Sequence, residues 1–373
     1  MGYALQTLWF ERKRYFAGVL AVAFSCVLIV VQVGLLNGLM AMVSRPVDFS
    51  DADIWVTGEK VPSCDLGNDQ LDRGYRNVLA VQPGVVATEE YIQLFNNWDN
   101  PSGGKVLCIV AGCGLSDGTI GPAGQLTGEL RRLLAEPGAV AINRADLRKL
   151  GVHAVGETTT IGDERVRVVG IVDGMNSFTG PYVMGSLATA RQLLPMLDES
   201  HTVYVLGKCG SSPQADAVVK ALAADDRVSV YTKAQFSEKS RNHWIVNTSA
   251  GTLIKFVAML GLFIGAVITT YSLYGATVAA LRELMVLRAF GVPRWRISAF
   301  VIAQAVLVGI AGVALGIPVS FAVGSIATAI GIHPAIELPL LAFTSLLSWA
   351  MSALAGVFAL RSLRGAEPVS LLR

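Results

Sequence analysis

Arg282, Glu283, Leu284, Leu287, Arg288 and Gly291 fall in one stretch, LRELMVLRAFGVPRWRI (Leu281–Ile297), whose residue types and spacing could perform a definite task. Leu281, Leu284, Leu287 and Arg288 recur at three- and four-residue intervals, which is a helical period. Leucines so spaced are anchors for a helix laid in a groove, with Glu283 and the arginines left for polar groups of the partner. Gly291 followed by Pro293 is a helix stop, because Gly takes the left-handed cap and Pro cannot continue the ladder. The chemistry implied is docking rather than catalysis. The competing account is a loop that only fixes orientation, for which Arg282, Arg288, Arg294 and Arg296 would suffice. That account leaves the apolar stripe without a purpose.

Elsewhere the chemistry-bearing residues do not assemble into a recognisable catalyst. No G-x-x-x-x-G-K-[ST] loop occurs, so ATP has no P-loop here. KVLCIVAGCGLSDG (Lys105–Gly118) follows a strand-like run, but Gly112, Gly114 and Gly118 are spaced one residue too far for a dinucleotide fingerprint. His153, His201, His243 and His333 share no metal-ligand spacing, and no serine sits in a G-x-S-x-G elbow. Cys64, Cys108, Cys113 and Cys209 lie together in the polar part of the chain, where three full disulfide pairings are open, as is the alternative of reduced buried thiols. Cys26 sits in an apolar run and packs. The chain therefore reads as a non-enzyme with no cofactor of its own.

The composition says what must position these residues. The chain has 373 residues, 53% hydrophobic and only 16% charged, where a soluble protein carries about 25% charge. Ala17–Val43, Leu253–Ala280, Ala299–Ile330 and Leu338–Leu360 each pass the roughly 20-residue test for a membrane span. None holds an internal Asp, Glu or His, which argues against a proton relay or ion path. Gln32, Asn37, Thr269, Thr270 and Gln304 are read as helix glue. Gly312 and Gly316 form G-x-x-x-G, either a dimer face or ordinary membrane composition. Lys and Arg flank one side only: Arg12, Lys13 and Arg14, then the island, then Arg361, Arg364 and Arg373. Both termini are thus expected to be cytoplasmic. A net charge of +2 suggests no nucleic-acid partner.

The expected fold class is a membrane α-helical protein of four transmembrane helices, with a large extracytoplasmic α+β domain inserted between the first and second. The expected order is a cytoplasmic interfacial helix with Trp9 at headgroup level (1–16), the first transmembrane helix (17–44) and the extracytoplasmic domain (45–242). A stalk with the second helix (243–280), Trp244 at the interface, and the cytoplasmic loop (281–297) follow. Then come the third helix (298–330), a short external loop (331–337), the fourth helix (338–360) and a cytoplasmic tail (361–373). Within the domain, strands are expected at Asp53–Thr57, Lys105–Val110, Val203–Leu206 and Val228–Tyr231. A hairpin over Thr158–Val172 turns at Gly162–Asp163. Helices are expected at Gly128–Ala135, Ala145–Leu150, Leu187–Leu197 and Pro213–Ala224, and Gln235–Ser249 would extend the second span outward as a rigid stalk.

Three motifs carry a family resemblance. Leu281–Pro293 is similar to the R-E-x-x-x-L-R-A-x-G-x-x loop of MacB/FtsX-type permeases of ABC transporters. Glu157–Val172, in GVHAVGETTTIGDERVRVVGIV, resembles their exported-domain signature of a G-[DE]-T turn and a V-V-G-I strand. The tail LRGAEPVSLLR (Leu363–Arg373) resembles their closing A-x-x-P-x-x-x-L-R. With no ATP-binding segment in these 373 residues, the chain looks more like the DevC-type group, which pairs with a separate ATPase and a membrane-fusion adaptor. The family's Ser or Thr near Pro293 is missing, and Pro293 at the first helical position would serve instead. The resemblance implies a homodimer in the lipid of the bacterial inner membrane. It would be bound by a separate ABC ATPase subunit that holds ATP and magnesium, and would work by mechanotransmission in efflux through a periplasmic adaptor and an outer-membrane channel. The alternative is an FtsX-like envelope regulator relaying the same motion to an extracellular partner.

Overall fold

Long apolar runs become helices because a backbone in hydrocarbon must satisfy its own hydrogen bonds. The computed structural model describes residues 12–67, 69–177, 179–279, 286, 290–329 and 334–364. Among these, four helices are long and apolar enough to cross a membrane: Arg12–Val43, Ser249–Ala279, Arg294–Ala329 and Leu338–Arg364. The chain divides into two compact units, residues 1–38 with 250–373, and residues 39–249.

In the helical unit, small residues set the packing. A Cβ on Gly312 would stand 2.5 Å from Val22 Cβ, and one on Gly316 would stand 2.9 Å from Cys26 Cβ and 3.0 Å from the Ala23 carbonyl. The G-x-x-x-G pair of the third span is therefore filled by the first span of the same chain. The pair thus serves close helix packing within the chain, the role that G-x-x-x-G permits. Gly309 meets Ser352, and Gly356 meets Ala305, so the third and fourth spans approach in the same way. Thr269 acts as glue, its hydroxyl 3.1 Å from that of Ser25, which also donates to the Gly265 carbonyl at 3.0 Å.

The inserted unit is built on strands β1 (Ile54–Gly58), β2 (Leu71–Asp72), β3 (Val85–Asp99), β4 (Lys105–Cys113), β5 (Ala139–Asn143), β6 (Thr158–Ile161), β7 (Glu164–Val172), β8 (Tyr182–Ser186), β9 (His201–Thr202), β10 (Tyr204–Cys209) and β11 (Val228–Thr232). Nine of them run in the order β11-β1-β10-β3-β4-β8-β5-β7-β6, and β6 returns to β3 through the pair Trp98–Ile161. Six strands from β3 round to β6 thus close on themselves. β3 is the hinge of the design: Val85–Tyr91 pairs with β10 and Ile92–Asp99 pairs with β4. Side chains on β1 alternate, as a strand requires. Trp55 enters the main core beside Tyr91, Tyr204 and Phe236, while Ile54 and Val56 enter a smaller core with Leu79, Val205 and Val218.

The expected hairpin is present: β6 and β7 turn at Gly162–Asp163, with Gly162 at φ +62°. The expected rigid stalk is not. The helix Lys233–Val246 ends at Asn247, and a separate helix begins at Ser249. Leu187–Leu197 forms helix only to Leu193, and β2, β3, β5, β8 and β9 are strands beyond those expected.

Candidate coupling site

Of the residues expected to dock, Arg282, Glu283, Leu284, Leu287 and Arg288 lie outside the described residues; Gly291 lies within them. Its φ of +83° is the left-handed cap expected of a helix stop. The Phe290 N–H donates to the Val286 carbonyl at 3.1 Å just before it. Pro293 then precedes the third-span helix rather than opening it, and its carbonyl accepts from Arg296 and Ile297. It occupies the N-cap, not the first helical position, and Arg294, Arg296 and Ile297 belong to the span. Val292 packs with Ile297 and Val301, a hydrophobic staple that fixes how the chain enters the helix.

A second constellation is complete and sits where the chain leaves the first span and approaches the second. Asp48 lies on the short helix Arg45–Phe49, which Ser44 and Pro46 start. Its carboxylate accepts from Arg241 Nη2 at 2.7 Å, Ser237 Oγ at 2.7 Å and Ser44 Oγ at 2.7 Å. Arg241 Nε also donates to Ser44 Oγ at 2.8 Å, and Lys233 Nζ donates to the Ser50 carbonyl at 2.6 Å. Ser237 and Arg241 share one face of the Lys233–Val246 helix because they are four residues apart. That helix starts firmly, with a capping box in which Thr232 and Gln235 each bond the other's backbone.

The buried loop at 61–65 grips the same helix from another direction. Lys239 Nζ donates to the Val61 carbonyl at 2.8 Å, the Cys64 N–H to Ser240 Oγ at 3.0 Å, and Trp244 Nε1 to Asp65 Oδ1 at 3.1 Å. Cys64 Sγ donates to the Val43 carbonyl at 2.9 Å, so one residue touches both the end of the first helix and the helix before the second. Trp244, expected at a membrane interface, is thus a domain contact. Burial raises the Asp65 pKa against the opposing bonds from Ser63 and Trp244. An open cleft of about 880 Å³ adjoins, lined by Asp48, Asp53, Asp216, Lys233, Glu238 and Arg241.

All four cysteines of this unit are free and buried in this structure, as is Cys26. Cys64, Cys108 and Cys113 belong to the main core and Cys209 to the smaller one. Burial pushes the Cys108 and Cys113 thiols up to about 12, so neither is a nucleophile near neutral pH. No group of three or more metal-ligating side chains occurs among the described residues.

The model of the MacB-like periplasmic core domain matches residues 16–225, more than half of the chain. This chain is a MacB/FtsX-type permease. The FtsX-like permease C-terminal model covers residues 255–368, the part that holds the last three spans of the permease. No curated protein matches the permease. Among solved structures it is similar to the periplasmic region of MacB from Actinobacillus actinomycetemcomitans, at 12% identity and a TM-score of 0.37, over 52% of this chain and 96% of that one. The extracellular domain of YknZ, a noncanonic ABC-type transporter from Gram-positive bacteria, matches at 13% identity and a TM-score of 0.35, over 48% and 98%. A domain of a permease protein from Porphyromonas gingivalis matches at 14% identity and a TM-score of 0.31, over 49% and 90%.

Proposed function

We propose that this permease couples ATP hydrolysis in a separate subunit to motion of its inserted domain, and does so for export through a membrane-fusion adaptor and an outer-membrane channel. The family supplies the coarse part of this reading, an ABC-type membrane subunit. The finer part rests on one observation: the segments that follow the first span and precede the second are clamped together by Asp48, Arg241 and Cys64. A domain that merely hung from the membrane needs no such clamp, whereas one that relays motion needs its two attachments to act together. In this reading Leu284 and Leu287 seat in the ATPase, Glu283 and Arg288 meet its polar groups, and both termini are cytoplasmic. The copy number is two, through a surface other than Gly312 and Gly316. Such a division of labour resembles that of DevC-type permeases.

The test is isolation of the complex in mild detergent. The reading expects an ATPase subunit of about 25 kDa, the size of one ordinary nucleotide-binding domain, whose hydrolysis the permease stimulates. Asp48→Ala should keep that subunit bound and lose export. A complex with no nucleotide-binding subunit, or full export by Asp48→Ala, would sink the reading.

A further inference from the structure

The turn at the head of the third span leaves two aromatic rings uncovered while its aliphatic residues turn inward. Phe290 is 83% exposed and Trp295 67% exposed, whereas Ile297 and Val301 are buried, with Val292 packed on them. The staple explains the division: it rolls Val292 onto the first helical turn, and the rings on either side of it are left facing out. Trp295 is also the first residue of a membrane-length apolar segment, Trp295–Thr328. The Arg296 guanidinium lies 5.3 Å from the Trp295 ring centroid, so the ring carries a cation over its face.

We propose that Phe290, Trp295 and Arg296 form a lipid anchor, in which both rings sit at headgroup level and Arg296 takes the phosphate of an anionic phospholipid. Three considerations choose lipid over protein as the occupant. The site is continuous with a membrane span, so headgroups meet it without any further assembly. An indole at the end of an apolar segment has an apolar body and a polar N–H, which suits the boundary between tails and water. A guanidinium stacked on that indole is held at the level where phosphates lie, and a single basic residue near an anionic surface contributes measurably to binding. The ATPase contact proposed for Leu284 and Leu287 then ends before Phe290, and the anchor takes the residues on both sides of the left-handed turn at Gly291. The anchor does not depend on that contact.

Replacing Trp295, and separately Phe290, by p-benzoylphenylalanine keeps an aromatic at each position and lets light record what touches it. The permease, with whatever subunits co-purify, is placed in vesicles of phosphatidylethanolamine and phosphatidylglycerol, irradiated and analysed by mass spectrometry. The expected adducts are phospholipids at both positions, enriched in phosphatidylglycerol. Adding Arg296→Gln should cut that enrichment about fivefold. Adducts to an ATPase subunit or to a second copy of the permease would overturn the proposal, as would a lack of lipid adducts at either position. Unchanged phosphatidylglycerol enrichment in Arg296→Gln would remove the phosphate from Arg296. Lipid adducts in a preparation without any ATPase would uphold the anchor while the coupling reading fails.

Discussion

Glu90 and Glu136 are both paired with arginine, yet they should respond very differently to substitution. Glu90 is buried between Arg73, at 2.9 Å, and Arg191, at 2.8 Å. Removing it takes the charged partner from Arg191, which is only 20% exposed, while Arg73 can turn to solvent, so Glu90→Ala should lower unfolding free energy by about 1.5–3 kcal/mol. The Glu136–Arg167 pair has both partners about half exposed. Glu136→Ala should change stability by less than about 1 kcal/mol. Chemical denaturation of the two variants checks the contrast. Asp65 makes a third case. Burial raises its pKa above the ordinary 3.8, so between that value and the folded one the folded state holds more protons than the unfolded. Stability from this group is therefore full at low pH and falls as pH rises through the folded value. Asp65→Asn keeps an acceptor for Trp244 Nε1. It should match the native chain in acid, exceed it at neutral pH and flatten the slope of the melting temperature against pH. A variant that melts lower than the native chain at neutral pH would contradict this. The free thiols predict that alkylation in denaturant without reductant modifies all five cysteines, whereas a preformed bridge would protect two.

At the scale of elements, Gly312→Leu and Gly316→Leu should each destabilise the helical unit itself, by at least the roughly 1–3 kcal/mol of an overpacked core, because Val22 and Cys26 already occupy the space. Thermal melting should fall; a change confined to the dimer fraction would favour the dimer-face reading. The sequence made this packing half-legible: G-x-x-x-G announces close approach, but nothing in one chain's letters says which helix approaches. The spans were legible because length and hydropathy decide them. Hairpin β6–β7 was legible because Gly162 marks its turn. β3 was not, since Glu89 and Glu90 break its alternation, and the groups that satisfy them lie on other elements: Arg73 and Arg191 for Glu90, and for Glu89 the Gly114 and Ile120 N–H groups with the Thr119 hydroxyl. The clamp was invisible for the same reason, as Asp48 and Arg241 are separated by almost the whole inserted domain. The break at Asn247 was missed because Gln235–Ser249 contains no Gly or Pro to signal it.

For the whole molecule, Leu287→Ala and Glu283→Ala should leave insertion and folding intact while uncoupling ATP hydrolysis from export. Truncating an anchor of this kind commonly costs above about 1 kcal/mol, and a desolvated charge about 2–5. Stimulation of the ATPase by each variant in nanodiscs is the measurement, and full stimulation would return the island to a purely orienting role. Topology is tested separately: a reporter fused near Asn143 should report from outside the cytoplasm, and a cytoplasmic signal would reverse the orientation.

The sharing of β3 bears on how the inserted domain folds and comes apart. Val85–Tyr91 belongs to one set of strands and Ile92–Asp99 to another, along a single uninterrupted segment. Neither half can therefore melt without tearing an edge from the other, and the domain should unfold in one cooperative step despite its two cores. The ring, however, closes between β6 and β3 on one ladder pair, Trp98 with Ile161, aided by the Gly162 N–H on the Asn97 carbonyl and the Thr159 and Thr160 hydroxyls on Asp99, while β6 has its four-residue ladder only with β7. Amide protons of Thr158–Ile161 should exchange with solvent well before those at the centre of β3. The last strand of the ring would then unzip in sub-global openings that leave the shared strand in place.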